Sequence, residues 1–158
     1  MLKVLLAAGL LAIPTLAQGV VLQKNLSLGL AKTMAEAALA ACQAKGFHTA
    51  VAVVDRAGQM LILLRDELAT NQMAEMARRK AYTARMFRMT TAEFQKITAS
   101  GKVEEGRRDL PDILALSGGV PIRVGDEVIG GLGSSGSTLD DDDACAKAGL
   151  AKVAELLK

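Results

Sequence analysis

The stretch TAVAVVDRAGQMLILL, residues 49–64, decides the fold that we expect for this chain of 158 residues. It holds two runs of β-branched and aliphatic residues, separated by Asp55-Arg56-Ala57-Gly58. In a D-x-x-G turn the aspartate accepts hydrogen bonds from nearby backbone N–H groups, and the glycine supplies a positive φ. The stretch therefore predicts a β-hairpin, and a two-stranded hairpin pairs its strands antiparallel.

Helical periodicity surrounds this hairpin on both sides. Apolar residues recur every three or four positions across residues 25–45, and Gly46 then supplies a stop signal. After the hairpin the same spacing returns across residues 72–87, with Thr70 or Asn71 as the N-cap. We therefore expect one helix before the hairpin and one after it.

The C-terminal half predicts a second set of elements. They are a short helix opened by the capping box Thr90-x-x-Glu93, an exposed excursion over residues 101–112, a short strand over 113–116, a hairpin turning at Gly125-Asp126 and a last helix over 141–157. Two hairpins among helices predict an α+β fold, an antiparallel sheet of about five strands with helices packed on it. At this length we expect one domain, over residues 18–158.

The first 17 residues, MLKVLLAAGLLAIPTLA, have the pattern of an export signal. Lys3 precedes an apolar run over residues 4–13, Pro14 ends it, and Thr15 and Ala17 are small residues that a signal peptidase accepts. The run is too short to span a membrane, which takes about 20 residues. We therefore expect cleavage after Ala17 and a periplasmic or secreted protein; a buried N-terminal helix is the alternative.

The composition excludes several classes of function. The net charge is only +2 and 3% of the residues are aromatic, so neither a basic surface nor base stacking favours nucleic acid as a partner. The two cysteines, Cys42 and Cys145, form no C-x-x-C motif and no Cys/His cluster, which excludes a structural zinc site. An oxidising compartment would permit a disulfide between them.

The stretch GGLGSSGSTLDDDDACA, residues 130–146, allows three interpretations. Its glycines match a dinucleotide fingerprint, but that motif needs a following strand, and the chain ends one helix later. Its aspartates do not form an EF-hand loop, because Cys145 stands sixth from Asp140, where the loop requires glycine. We therefore expect the glycines to let the chain turn and the aspartates to start a helix.

Six motifs follow one another between residues 30 and 151. They are VAVVD at 51–55, RDE at 65–67, KAYTARMF at 80–87, SGGVPI at 117–122, GGLGSSG at 130–136 and A-x-A-G at 146–149. In this order they resemble the GlcG/HbpS haem-binding family, and also the C-terminal domain of corrinoid adenosyltransferase-related proteins. The resemblance implies a profilin-like or PAS-like antiparallel sheet, homo-oligomers and haem binding. Together with the export signal, it predicts an exported protein that binds haem and sequesters or senses haem or iron.

The resemblance raises the question of an iron ligand. Haem iron is commonly bound by His, Cys, Met or Tyr, and His48 is the single imidazole of the chain. If a protein ligand exists, His48 is therefore the first candidate for the metal; an ordinary surface histidine is the alternative. We assign Tyr82 and the methionines of the second helix first to packing, so a haem contact would be superficial or shared between subunits.

The family pattern also indicates a ligand-binding set for a carboxylate. It comprises the cations Arg65 and Lys80, the loop glycines Gly118 and Gly119, and Asp142, which stands six residues after the Ser-Gly pair at 135–136. Cations beside free N–H groups suit either a haem propionate or a small organic acid. An enzyme or binding protein for a small organic acid is therefore the alternative function.

For these cations a purely structural interpretation also stays open. Arg65 or Lys80 could pair with Asp55, Asp66 or the aspartates at 140–143, because ion-pair networks are common. No Ser/His/Asp set indicates a particular reaction. The sequence alone therefore does not choose between ligand binding and internal pairing.

The arrangement implied by the resemblance also bears on the cysteines. If the first and last helices pack side by side on one face of the sheet, Cys42 and Cys145 come within the roughly 4.4–6.8 Å between Cα atoms that a disulfide needs. Two buried thiols are the alternative. The same arrangement leaves sheet edges open, which favours homo-oligomers.

Overall fold

The structure is a computed structural model that describes residues 19–158, so the predicted export signal lies outside the described residues. Its elements are α1 (Leu28–Gln43), β1 (Ala50–Val54), β2 (Met60–Arg65), α2 (Asn71–Phe87), α3 (Thr91–Ile97), β3 (Gly119–Val124), β4 (Glu127–Ser135) and α4 (Leu139–Lys152), with short 3₁₀ helices at Glu105–Asp109 and Ala154–Leu157. This order confirms the α+β prediction. Within the described residues, no helix is long and apolar enough to cross a membrane.

The strands form one antiparallel sheet in the order β2-β1-β4-β3. Both predicted hairpins are present, and pairing of β1 with β4 joins them. In the first turn the Asp55 carboxylate accepts from the N–H groups of Ala57 and Gln59, and Gly58 has φ +84°. The sequence pattern therefore located the hairpin that organises the sheet.

The described sheet has four strands instead of about five, because residues 113–116 are not a strand. Their backbone groups have other partners: the N–H of Leu114 donates to Thr83 Oγ1 at 2.9 Å, and the carbonyl of Ile113 accepts from Arg79 Nη2. Both partners are side chains of α2. The backbone of this segment is therefore held along α2 instead of pairing in the sheet.

One face of the sheet packs on α1 and α4. Its large aliphatic residues form a core with the inward face of the two helices: Val51, Val53, Val120, Ile122 and Leu132 from the strands, with Met34, Ala35, Ala38 and Ala146 from the helices. A disulfide between Cys42 and Cys145 joins α1 to α4, with Cα atoms 5.6 Å apart. Of the two alternatives for the cysteines, the structure has the bond.

The opposite face packs on α2 and is built from small residues. Ala50 and Ala52 face Ala74, Ala77 and Ala81 of the helix. On the neighbouring strand β4, a Cβ on Gly133 would lie 2.2 Å from the carbonyl oxygen of Ala77, and one on Gly131 equally close to that of Ala81. Since no side chain fits there, these glycines let the helix backbone lie directly on the strands.

Four helices begin at a serine or threonine cap, as expected from the preference for such residues. The caps are Ser27, Thr70, Thr90 and Thr138. Thr90 and Glu93 form the predicted capping box. The last helix starts at Leu139, two residues before the predicted position, because Thr138 rather than an aspartate caps it; it ends at Lys152.

Candidate functional site

A buried ion pair lies where β4 ends and β3 begins. The Lys80 ammonium, 0% exposed, donates to Asp142 Oδ2 at 2.7 Å and to the carbonyl of Ser134 at 3.0 Å. The other Asp142 oxygen accepts from the N–H and the hydroxyl of Ser137. Burial lowers the pKa of Lys80, and the charge of Asp142 opposes the lowering. The pair joins α2 to α4 around the end of the sheet.

The two glycines of the SGGVPI loop close over this pair. A Cβ on Gly118, which has φ +118°, would lie 2.7 Å from the Ser134 carbonyl and 3.0 Å from Lys80 Nζ. Gly119 leaves no more room, because a Cβ there would lie 2.4 Å from the carbonyl oxygen of Lys80. Four members of the predicted ligand-binding set therefore meet, but they enclose each other and present no charge to the surface.

Arg65 lies apart from that set. It is exposed at the end of β2, where its guanidinium donates to the carbonyls of Asp66 and Ala69. It therefore braces the loop between β2 and α2. The structure does not bring Arg65 and Lys80 together as a pair of cations.

His48 is oriented by a fixed carboxylate. Its Nδ1 lies 2.9 Å from Asp66 Oδ1, and the imidazole is 51% exposed. Asp66 is buried and also accepts from Gln43 Nε2 at 2.8 Å and from the N–H of Leu68 at 3.0 Å; the Gln43 bond, then the Leu68 bond, lowers the pKa of Asp66. A carboxylate on one ring nitrogen is the usual way to present the other to a metal.

An apolar crevice opens on the outer face of α2. It has a volume of about 450 Å³, within the usual range for ligand pockets, and lies between the helix and the segment that follows the 3₁₀ helix at Glu105–Asp109. The lining residues are Tyr82, Met86, Phe87, Leu110, Pro111, Asp112 and Ile113. Met86 is 45% exposed and Leu110 51% exposed. The crevice therefore offers apolar surface to a ligand from solution.

Two residues of the crevice wall are of the types that bind haem iron. Tyr82 and Met86 stand one turn apart on α2, and both lie against the β1–β2 turn: a Cβ on Gly58 would be 2.8 Å from the Tyr82 ring and 3.6 Å from the Met86 sulfur. The Tyr82 side chain is half-buried and lines the crevice, and no hydrogen bond of its hydroxyl is present within residues 19–158. The turn thus fixes the ring without engaging the hydroxyl.

Two arginines at the C-terminal end of α2 lie outside the crevice and line separate depressions, Arg85 beside Asp55 and Arg88 beside Thr90. Arg85 donates to the carbonyl of Arg56 in the same turn, and Arg88 stands at the C-cap of α2. Neither forms an ion pair with a carboxylate within the described part of the chain. Burial, then the charges of Arg56 and Arg88, lowers the pKa of Arg85. The charge of Asp55 opposes this lowering, so a carboxylate lies near Arg85 although it forms no ion pair with it.

Sequence reasoning missed the crevice. Tyr82 and Met86 were assigned to packing because helical spacing does not reveal which face a second segment leaves open. The available signal was Leu110-Pro111, an apolar pair at the end of an otherwise charged excursion. Among residues 19–158, no cluster of three or more His, Cys, Asp or Glu side chains could hold a metal ion.

Known proteins share this architecture. A family model described as "Haem degrading protein HbpS-like" matches residues 26–151. A double mutant of HbpS from Streptomyces reticuli is 35% identical, with a TM-score of 0.80, over 89% of this chain and 97% of that one. The Klebsiella pneumoniae protein ORFY is 25% identical, with a TM-score of 0.83, over 89% and 98% of the two chains.

A third structure contains a ligand. PduOC, solved in complex with haem, is 26% identical to this chain, with a TM-score of 0.76, over 80% of this chain and 94% of that one. The motifs quoted above and the matched residues 26–151 cover nearly the same part of the sequence. The family model, the fold and the motifs agree: this chain belongs to the HbpS-like family.

Proposed function

We propose that this protein binds haem and works outside the cytoplasm, sequestering or sensing haem or iron. The observation that carries the proposal is the crevice on α2, where an apolar wall bears two residues of iron-binding type. Haem is a flat apolar ring with two carboxylates and an iron, so each of these features has a counterpart in the ligand. PduOC, a relative with the same fold, has been solved with haem bound.

A haemin titration tests the proposal. Purified protein is mixed with ferric haemin, without reductant or peroxide so that degradation of the ring does not obscure binding. We expect a shifted Soret band that saturates at one haem per chain or per pair of chains. An unshifted spectrum at micromolar protein, with free haemin recovered by gel filtration, would refute haem binding.

The geometry gives the rival function little support. The alternative hypothesis, a binding protein or enzyme for a small organic acid, requires Lys80 beside the glycine loop to contact the acid. The Lys80 ammonium, however, is already bonded to Asp142 and fully buried. A small carboxylate would have to displace that aspartate and enter past Gly118 and Gly119, which leave no space for even a methyl group. We therefore place the ligand at the crevice.

Export is the second part of the proposal. The disulfide between Cys42 and Cys145 supports it, because such bonds persist in oxidising compartments and are rare in the cytosol. We expect the protein in the periplasmic or extracellular fraction, with Gln18 as its first residue after removal of the signal at 1–17. Amino-terminal sequencing of the fractionated protein tests this, and an intact Met1 in the cytosolic fraction would contradict it.

Self-association is the third part. Strand β2 lies at the edge of the sheet, and its residues Met60 and Leu63 are 50% and 38% exposed. An open edge with apolar side chains favours pairing with a second copy by a symmetric contact. Light scattering should give a mass above that of one chain, and a monomeric mass at working concentration would contradict self-association.

A further inference from the structure

We propose that Tyr82 binds the iron of ferric haem in the α2 crevice, and that His48 does not. This inference rests on the proposed haem binding and adds the iron ligand and the position of the ring. Three properties of the molecule support it: the state of the phenol, its distance from the imidazole, and the surroundings available to the porphyrin.

The first step is the state of the phenol. Tyr82 is held by packing, since its ring lies against Gly58 of the β1–β2 turn, and no hydrogen bond of its hydroxyl is present within residues 19–158. Because the side chain is half-buried and lines an open crevice, its hydroxyl can bond to water that a ligand displaces. A fixed ring with an uncommitted oxygen at the wall of an open crevice is therefore suited to donate that oxygen to a ligand.

The second step is the choice between ligands. His48 precedes β1, and Tyr82 lies against the turn that follows β1. The five residues of that strand span about 16 Å at roughly 3.3 Å per residue. An iron in the crevice is therefore beyond the reach of the His48 imidazole. Within the crevice, ferric iron favours the anionic oxygen of tyrosine over the soft thioether of Met86.

The third step concerns the rest of the porphyrin. Met86 and Leu110, both about half exposed, offer apolar contact to the ring. Arg85 contacts the same turn as Tyr82 through the carbonyl of Arg56, and it has no carboxylate partner among the described residues. A propionate near that turn would gain a charge-assisted hydrogen bond from this guanidinium. Tyr82 lines the crevice itself, whereas Arg85 lines a depression beside the same turn, with Asp55 and Arg56.

The test compares haemin with iron-free protoporphyrin IX on four proteins: wild type, Tyr82→Phe, His48→Ala and Arg85→Gln. Tyr82→Phe keeps the ring that packs on Gly58 and removes only the hydroxyl. We expect it to change the ferric spectrum and to weaken haemin binding at least about tenfold, because a coordinate bond to iron is lost, with unchanged affinity for the iron-free ring.

The other variants separate the possible outcomes. His48→Ala should leave the haemin spectrum and affinity unchanged, and Arg85→Gln should weaken haemin and the iron-free ring alike. Tyr82→His should restore tight haemin binding with an imidazole-type spectrum, which a residue needed only for packing would not do. A wild type that binds no haemin refutes the proposed function itself.

Two results would show that Tyr82 is not the iron ligand even though the protein binds haem. One is an equal loss of affinity for both porphyrins in Tyr82→Phe, or no loss for either. The other is loss of haemin binding in His48→Ala. Circular dichroism and thermal unfolding of each variant establish that it is folded before its affinity is compared.

Discussion

The two faces of the sheet meet their helices in different ways. On one face, Val51, Val53 and Leu132 contact α1 and α4 through large aliphatic side chains. On the other face, Ala52 and Gly133 are so small that the backbone of α2 lies directly on the strands. Large side chains interdigitate and can repack when one of them changes volume. Where the backbone of α2 packs directly against the backbone of a strand, no side chain can move aside to make room. The two faces should therefore differ sharply in their tolerance of substitution.

The largest effect is expected on the α2 face. In Gly133→Val the new Cβ would overlap the Ala77 carbonyl, so α2 must shift or the chain must fail to fold, a loss of more than about 4 kcal/mol. The matched control is Gly29→Ala in α1, where a Cβ meets nothing within 4 Å. That change should be neutral or stabilise the fold by about 0.5–1 kcal/mol. Urea unfolding measures both, and near-equal midpoints would remove the contrast between the faces.

The next effect concerns the ion pair that links the two faces. Asp142→Ala leaves the Lys80 ammonium buried without its carboxylate, which should cost about 3–5 kcal/mol. Because the cost comes from an uncompensated charge, Lys80→Met combined with Asp142→Leu should recover most of the lost stability. Urea unfolding at pH 7 compares the single and double variants. A double variant no more stable than Asp142→Ala would show that the loss arises elsewhere, for example at the Ser137 bonds.

A smaller effect is expected from the covalent link on the aliphatic face. Cys42→Ala with Cys145→Ala opens a loop between residues 103 positions apart, and a native disulfide typically contributes about 2–4 kcal/mol. Both side chains are buried in well-packed surroundings, so the fold itself should survive. Thermal unfolding measures the loss. Two titratable thiols in denatured, unreduced wild-type protein would contradict the bond.

The sequence predicted those features whose cause is local. The turn from Asp55 to Gly58 carries its own hydrogen bonds and its own positive φ, so its residues alone identify it. The strand expected over residues 113–116 was wrong because its partners are Thr83 and Arg79, side chains about 30 residues earlier in the chain. No pattern within four residues contains that information.

The candidate site divides in the same way. That Lys80 pairs with one of the aspartates at 140–143 was an open alternative in the sequence, but its complete burial depends on Gly118 and Gly119 closing over it. The crevice was missed because it exists only where Leu110 and Pro111 pass over α2. Local chemistry is readable from sequence, whereas burial and open space are properties of the assembled fold.

The smallest expected effect lies at Asp66, directly after β2, and it appears in the pH dependence of stability. Hydrogen bonds, first from Gln43 and then from the N–H of Leu68, lower the pKa of Asp66 in the folded protein below its ordinary value of 3.8. A carboxyl with a depressed folded pKa stabilises the fold above its unfolded pKa, and this contribution is lost as the pH falls through the folded value. Asp66→Asn cannot titrate, so it should unfold at a lower temperature than wild type at pH 5, and the gap should close progressively below about pH 4. Thermal unfolding between pH 5 and pH 2 measures the gap, with Glu67→Gln, an exposed neighbour, as the matched control. A gap between wild type and Asp66→Asn that stays constant over this range would show that the network around His48 is not coupled to the charge of Asp66.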